Sequence, residues 1–127
     1  MSDMQAIPIL LTPDIPATAS WAEALGFAVE RFDDFGYAIL RGFGVELHYS
    51  HTTRPEVCDE TSCYIRGGGV PALAAHLAGL DLPAGTRFAP LTARPWGMTE
   101  AYLHDPHGNL IKLGLSTEEY EQMNGAN

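Results

Sequence analysis

Short apolar runs bounded by Gly, Pro and Asp recur along the whole chain, and a helical spacing interrupts them twice. Residues 6–11 read as a first strand, with Pro8 confined to an edge or to a position whose N–H is not needed. Asp14 or Thr18 can cap the helix that follows, in which Trp21, Ala24 and Leu25 fall at i, i+3 and i+4 before Gly26 stops it. Runs at 28–32, 37–41 and 45–49, separated by Asp33-Asp34-Phe35-Gly36 and Gly42-Phe43-Gly44, have the look of an antiparallel meander. The order then repeats. Residues 61–66 are a strand, Gly67-Gly68-Gly69 a break, and 70–80 a helix with Pro71 in its first turn and Leu73, Leu77 and Leu80 on one face. Strands at 86–91, 99–104 and 110–115 complete the second half. The last two are joined by Asp105-Pro106-His107-Gly108-Asn109, which has turn chemistry at every position: Pro106 presets φ, Gly108 can take φ > 0, and Asp105 and Asn109 can bond nearby backbone.

The pattern predicts an α+β fold of two βαβββ units, about 5–51 and 61–115, joined by 52–60 within a single domain of residues 1–127. The tail 116–127, with Glu118, Glu119 and Glu121, is a short helix or frayed. Each unit offers a sheet with one helix-covered face, so the uncovered faces can curve around a cleft, the natural place for function.

Charge narrows the classes of partner. Against 16 Asp and Glu stand only 7 Lys and Arg, giving a net charge of −9. Phosphate contacts need clustered Lys and Arg, so nucleic acid is not the expected partner. A cationic partner suits the balance better, the plainer alternative being that the carboxylates only keep the chain in solution. Cys58 and Cys63 lack a CxxC spacing or a companion pair and read as free thiols. Nothing near Met1 resembles a signal peptide, and no run approaches the ~20 apolar residues that cross a bilayer, so a cytoplasmic protein that does not contact a membrane is expected.

Candidate chemistry concentrates at two places. Phe32 and Phe35 flank Asp33 and Asp34 in a loop, where aromatic surface and negative charge coincide, a combination suited to an aromatic cation, with core packing as the alternative. Trp96, just before Gly97 at the mouth of a strand, is placed to offer a flat face to a ligand or to fill the core. Period-2 alternation puts Glu46, His48 and Ser50 on one face, and Glu100 on the same face as Tyr102 and His104. His48 and Glu100 are thereby groove candidates. No Ser-His-Asp order, nucleophile elbow or phosphate loop is present, and no catalytic residue is assigned.

Two βαβββ modules carrying Ile7-Pro8-Ile9-Leu10 with Asp14, Leu25-Gly26-Phe27, Asp33-Asp34-Phe35, Leu47-His48 and Pro95-Trp96-Gly97 through Asp105-Pro106-His107-Gly108-Asn109 resemble the vicinal oxygen chelate (glyoxalase/dioxygenase) superfamily, and within it the bleomycin-resistance proteins. The resemblance implies a homodimer, with its first strand exchanged in some members, that sequesters a cationic glycopeptide antibiotic in grooves at the dimer interface without chemical modification. It implies that Trp96, Phe32 and Phe35 embrace the flat bithiazole while groove carboxylates meet the charged tail. Enzymes of the superfamily hold a divalent metal at four strand positions, which match here near Pro8, Glu46 or His48, Ser62 and Glu100. Pro8 has no side-chain donor and Ser62 is a poor one, so neither metal nor cofactor is expected. The competing reading is a metal-dependent glyoxalase-like isomerase or ring-cleaving dioxygenase, or a binder of another planar cation. The triple glycine, the short run between Leu80 and Phe88, and His107 in the turn depart from the family pattern.

Overall fold

In the computed structural model, which describes residues 3–125, the repeat seen along the sequence becomes two four-stranded sheets of identical connectivity. Strand β1 (Ile9–Thr12), helix α1 (Ile15–Leu25) and strands β2 (Ala28–Phe32), β3 (Tyr37–Gly42) and β4 (Val45–His51) form the first, ordered β1-β4-β3-β2. Strand β5 (Ser62–Arg66), helix α2 (Val70–Ala78) and strands β6 (Arg87–Ala93), β7 (Met98–His104) and β8 (Leu110–Ser116) form the second, ordered β5-β8-β7-β6. In each sheet the first strand runs parallel to the last and the rest are antiparallel. Helix α3 (Thr117–Asn124), capped by Ser116 accepting from Glu119 N at 3.0 Å, forms most of the tail read as 116–127; Ala126 and Asn127, with Met1 and Ser2 at the other end, lie outside the described residues. No helix among the described residues is long and apolar enough to cross a membrane.

Local chemistry explains the boundaries. Asp14 rather than Thr18 caps α1, accepting from Ala17 N at 3.0 Å. Thr18 is instead buried inside the helix and bonded to Thr12 Oγ1 at 2.7 Å. The first strand is shorter than 6–11 and shifted: the Pro8 carbonyl still accepts from His48 N, but proline has no N–H to return, so the ladder begins at Ile9. It pairs with β4 of its own chain. Strand β6 runs on past Leu91 to Ala93 because the register shifts between Ala89 and Thr92, a bulge that accommodates Pro90. Residues 52–60, read as a connection, carry a 3-10 turn over Pro55–Glu60 that buries Cys58 with its thiol on the Leu11 carbonyl.

One apolar core joins the two halves. Leu10, Leu25, Leu40, Leu47 and Tyr49 from the first pack in the same cluster as Leu73, Leu77, Leu103, Leu113 and Leu115 from the second. Polar ties cross the same boundary. Trp21 Nε1 donates to Thr86 Oγ1 at 2.9 Å, and His76 Nε2 of α2 meets the Leu25 carbonyl at 2.8 Å, closing the end of α1.

The turn 105–109 supplies a further tie, through several buried hydrogen bonds at once. Asp105, 2 % exposed, accepts from His107 N and Asn109 N through Oδ1, both at 3.0 Å, and from Tyr49 Oη (2.7 Å) and Asn109 Nδ2 (2.8 Å) through Oδ2. Asn109, fully buried, donates to the Leu11 carbonyl at 2.7 Å and accepts from Thr61 Oγ1. Gly108, at φ 108°, is required here: a Cβ would stand 2.0 Å from Oδ1 of Asp59, which packs against the turn. Burial and the adjacent Asp105 charge push the Tyr49 phenol well above its ordinary pKa, so it stays a donor.

Replacing Asp105 by Ala leaves Tyr49 and Asn109 with buried unpaired donors, and the expected loss is about 3 kcal/mol or more. Urea unfolding measures it. A loss below about 1 kcal/mol would show that the turn is held by packing alone.

Candidate functional site

The covered faces of both sheets are spent on the core, which leaves the open faces and the loops at their ends to carry chemistry. Phe32, at the end of β2, is 36 % exposed, and Phe35, in the 3-10 turn Asp33–Phe35 that follows, is 83 % exposed. Trp96 is 61 % exposed on the β6–β7 turn, which Gly97 N to the Arg94 carbonyl closes at 3.2 Å. The reading of Trp96 as core is thereby replaced: Trp21, 4 % exposed, is the tryptophan inside.

Phe35 and Asp33 line an open cavity of about 700 Å³ together with Asp14, Pro16, Ser50 and His51. Its negative edge is partly balanced. Arg31 forms two hydrogen bonds to the Asp33 carboxylate, at 3.0 and 3.1 Å, all on the exposed surface; Asp34 stands next to it in the same 3-10 turn. In the sequence Asp14 reads as a helix cap and a motif position, and neither it nor His51 is a ligand candidate there. Only the parallel pairing of β1 with β4 and the glycine at 36, whose Cβ would stand 2.8 Å from His51 Cβ, bring them to this place.

On the open face of the first sheet, His48 is held at both nitrogens. Tyr37 Oη lies 2.6 Å from Nδ1, and Nε2 lies 2.6 Å from Glu46 Oε2. Arg41 pins the same carboxylate at 3.2 Å and reaches Glu30 at 3.2 Å. The hydrogen bond from His48 holds the Glu46 carboxyl below its usual range, against the opposing effect of burial and with Arg41 adding to it.

Glu100 belongs to the other open face. Its side chain is 1 % exposed, because Tyr64 Oη and Tyr102 Oη (2.9 Å) both donate to it and Lys112 Nζ stands 3.4 Å away. Register explains the cluster: Tyr64, Lys112 and Tyr102 form one cross-strand row, and Arg66, Gly114 and Glu100 the next. Gly114 lets Tyr64 cross to the carboxylate, since a Cβ there would lie 2.6 Å from the phenol oxygen. Burial alone would raise the Glu100 pKa; the two phenols and the Lys112 charge outweigh it and hold the carboxylate below its ordinary value. The phenols move the other way, raised by burial first and then by the bond to Glu100.

The sequence-derived candidates thus fall into three groups within one chain: Phe32, Phe35, Asp33 and Asp34 at the end of the first sheet, His48 with Glu46 on its open face, and Glu100 on the second sheet whose β6–β7 turn carries Trp96. Among the described residues, no three His, Cys, Asp or Glu side chains are close enough to hold a metal ion; Glu46 and His48 satisfy one another, while Glu100 is engaged on the second sheet.

No family model matches the chain. A bleomycin resistance protein of Klebsiella pneumoniae is 29 % identical over 114 residues, 86 % of this chain and 90 % of that one. A bleomycin-binding protein crystallised with bleomycin superposes with a TM-score of 0.74 at 27 % identity, covering 89 % of this chain and 98 % of the other. The fold is that of the bleomycin-resistance and glyoxalase-family proteins. A bleomycin-binding protein from bleomycin-producing Streptomyces verticillus, complexed with copper(II)-bleomycin, gives a TM-score of 0.73 at 28 % identity, over 89 % of this chain and 96 % of that one.

The depressed Glu100 pKa has a sign that can be checked. A carboxyl lowered in the folded state contributes stability in full above its unfolded value near pH ~4.3, and that contribution is lost as pH falls through the folded value. Tyr64→Phe and Tyr102→Phe each remove a donor to the charged form, so the folded value rises and acid unfolding begins at higher pH. Carboxyl titration by NMR would read this directly. An unchanged or lowered Glu100 value in both variants would mean that Lys112 alone sets it.

Proposed function

We propose that this chain is a binding protein that captures bleomycin-type glycopeptide antibiotics and breaks no bond in them. The observation that carries the reading is the alignment, over about nine tenths of the chain, with two proteins crystallised with bleomycin. Three exposed aromatics in two separate places support it. Phe32 and Phe35 beside an acidic cavity, and Trp96 on the other module, offer exposed flat apolar surface on which a planar guest can stack.

Because Phe35 and Trp96 sit on different modules, the groove is proposed to form between two copies of the chain, the first-module edge of one facing the second-module face of its partner. Stacking of a planar bithiazole supplies roughly 0.5–1.5 kcal/mol per aromatic beyond burial, and the net charge of −9 draws a cationic tail toward the cavity rimmed by Asp14 and Asp33. Holding the drug is the whole mechanism. The cytoplasm, where such an antibiotic would meet its target, is the proposed place of action.

Calorimetric titration of the chelator-treated protein with bleomycin is expected to give one drug per protomer. Trp96→Ala and Phe35→Ala should each weaken binding about tenfold, or ~1.4 kcal/mol, with thermal stability unchanged. Absence of saturable binding, or variants that bind as the parent does, would overturn the reading; turnover of a thiohemiacetal or a catechol on added divalent metal would replace it with the enzyme.

A further inference from the structure

The chain is acidic, yet its second open face is not. Four of its seven Lys and Arg residues, Arg66, Arg87, Arg94 and Lys112, lie in the second module. Three of them gather around two phenols: the Arg66 guanidinium stands 4.8 Å from the Tyr64 ring centre, Lys112 Nζ 4.6 Å from the same ring, and the Arg94 guanidinium 4.7 Å from the Tyr102 ring. Both phenols converge on one carboxylate, Glu100, which Lys112 already balances. Neither Arg66 nor Arg94 forms an ion pair with any carboxylate among the described residues, although the chain has sixteen to offer. Arg94 also holds the one buried side-chain polar atom without a hydrogen-bond partner among the described residues, its Nε. An unmade bond of that kind is costly unless something fills it in another state of the protein.

Position gives the surplus charge a use. Arg94 is the first residue of the turn that displays Trp96, and its guanidinium stands over the Tyr102 ring. Balancing Glu100 needs one cation, and Lys112 is already there; two further guanidiniums on the same surface suit a planar acceptor.

We infer that the Trp96–Arg94–Arg66 surface of the second sheet is a subsite for an anionic group, a carboxylate, sulfonate or phosphate, carried on a planar aromatic ligand. The inference rests on the reading of Trp96 as a ligand wall. It makes the groove bipolar: the cavity at Phe35 meets the positive part of the guest and the second sheet its anionic or acceptor-rich part.

The test is titration of the full chain with naphthoate and with naphthylmethylammonium, two probes of one ring system and opposite charge. Naphthoate should bind at least about fivefold more tightly, and Arg66→Gln and Arg94→Gln should each abolish that preference while Arg54→Gln, a charge change in the connection between modules, leaves it intact. Equal binding of the two probes, tighter binding of the amine, no saturation with either, or a preference that survives both substitutions would overturn the subsite. Arg66 is exposed, so its variant carries the test even where Arg94→Gln unfolds. Bleomycin titrated in parallel separates the two readings: saturation by the drug without preference for naphthoate sinks the subsite alone, and preference for naphthoate without drug binding sinks bleomycin capture alone.

Discussion

A buried carboxylate holds this molecule together at the junction of its two halves. Asp105 accepts four hydrogen bonds, two from backbone N–H groups of its own turn and two from the side chains of Tyr49 and Asn109, and Asn109 passes the connection on to Leu11 and Thr61. The chain thereby ties the β7–β8 turn to the first strand, to β4 and to the entry of β5 at once. A carboxylate in that place would be costly if any oxygen were left without a donor. Because each is met twice, the same group that would otherwise oppose folding sets the relative position of the two sheets.

That position determines what is left for function. With one face of each sheet committed to the shared core, the open faces can specialise, and they do so in opposite senses. The first ends in Phe35 over a cavity rimmed by Asp14 and Asp33, while the second presents Arg66, Arg94 and Lys112 around tyrosines and a covered Glu100. A net charge of −9 conceals this division. It reports how the whole molecule attracts ions at a distance, whereas the groups a guest touches are arranged strand by strand.

Legibility in the sequence followed the range of the interactions involved. Helix α1, the strand alternation and the turn at Asp105 depend on neighbours a few residues away, and each is visible as a spacing or a turn residue. The exposure of Phe35 also has a local cause, since it sits in a tight 3-10 turn between two strands. Glu100 shows the other case. Alternation correctly puts it with Tyr102, but its cover comes from Tyr64 and Lys112, thirty-six and twelve residues away, through parallel pairing of β5 with β8. The same holds for His51 and Asp14, joined by the pairing of β1 with β4.

By itself, then, the amino-acid order determined the repeated βαβββ plan, the stop of α1 at Gly26, the turn chemistry and the aromatic and acidic composition of the candidate loops, because all of these are written in short-range periodicity and conformational preference. Only the tertiary structure decided which tryptophan is inside, which carboxylate is covered and which face is positive. Those outcomes depend on strand register and on packing between residues far apart in the chain, and a slip of one position in any strand would have exchanged every side chain between the core and the open face.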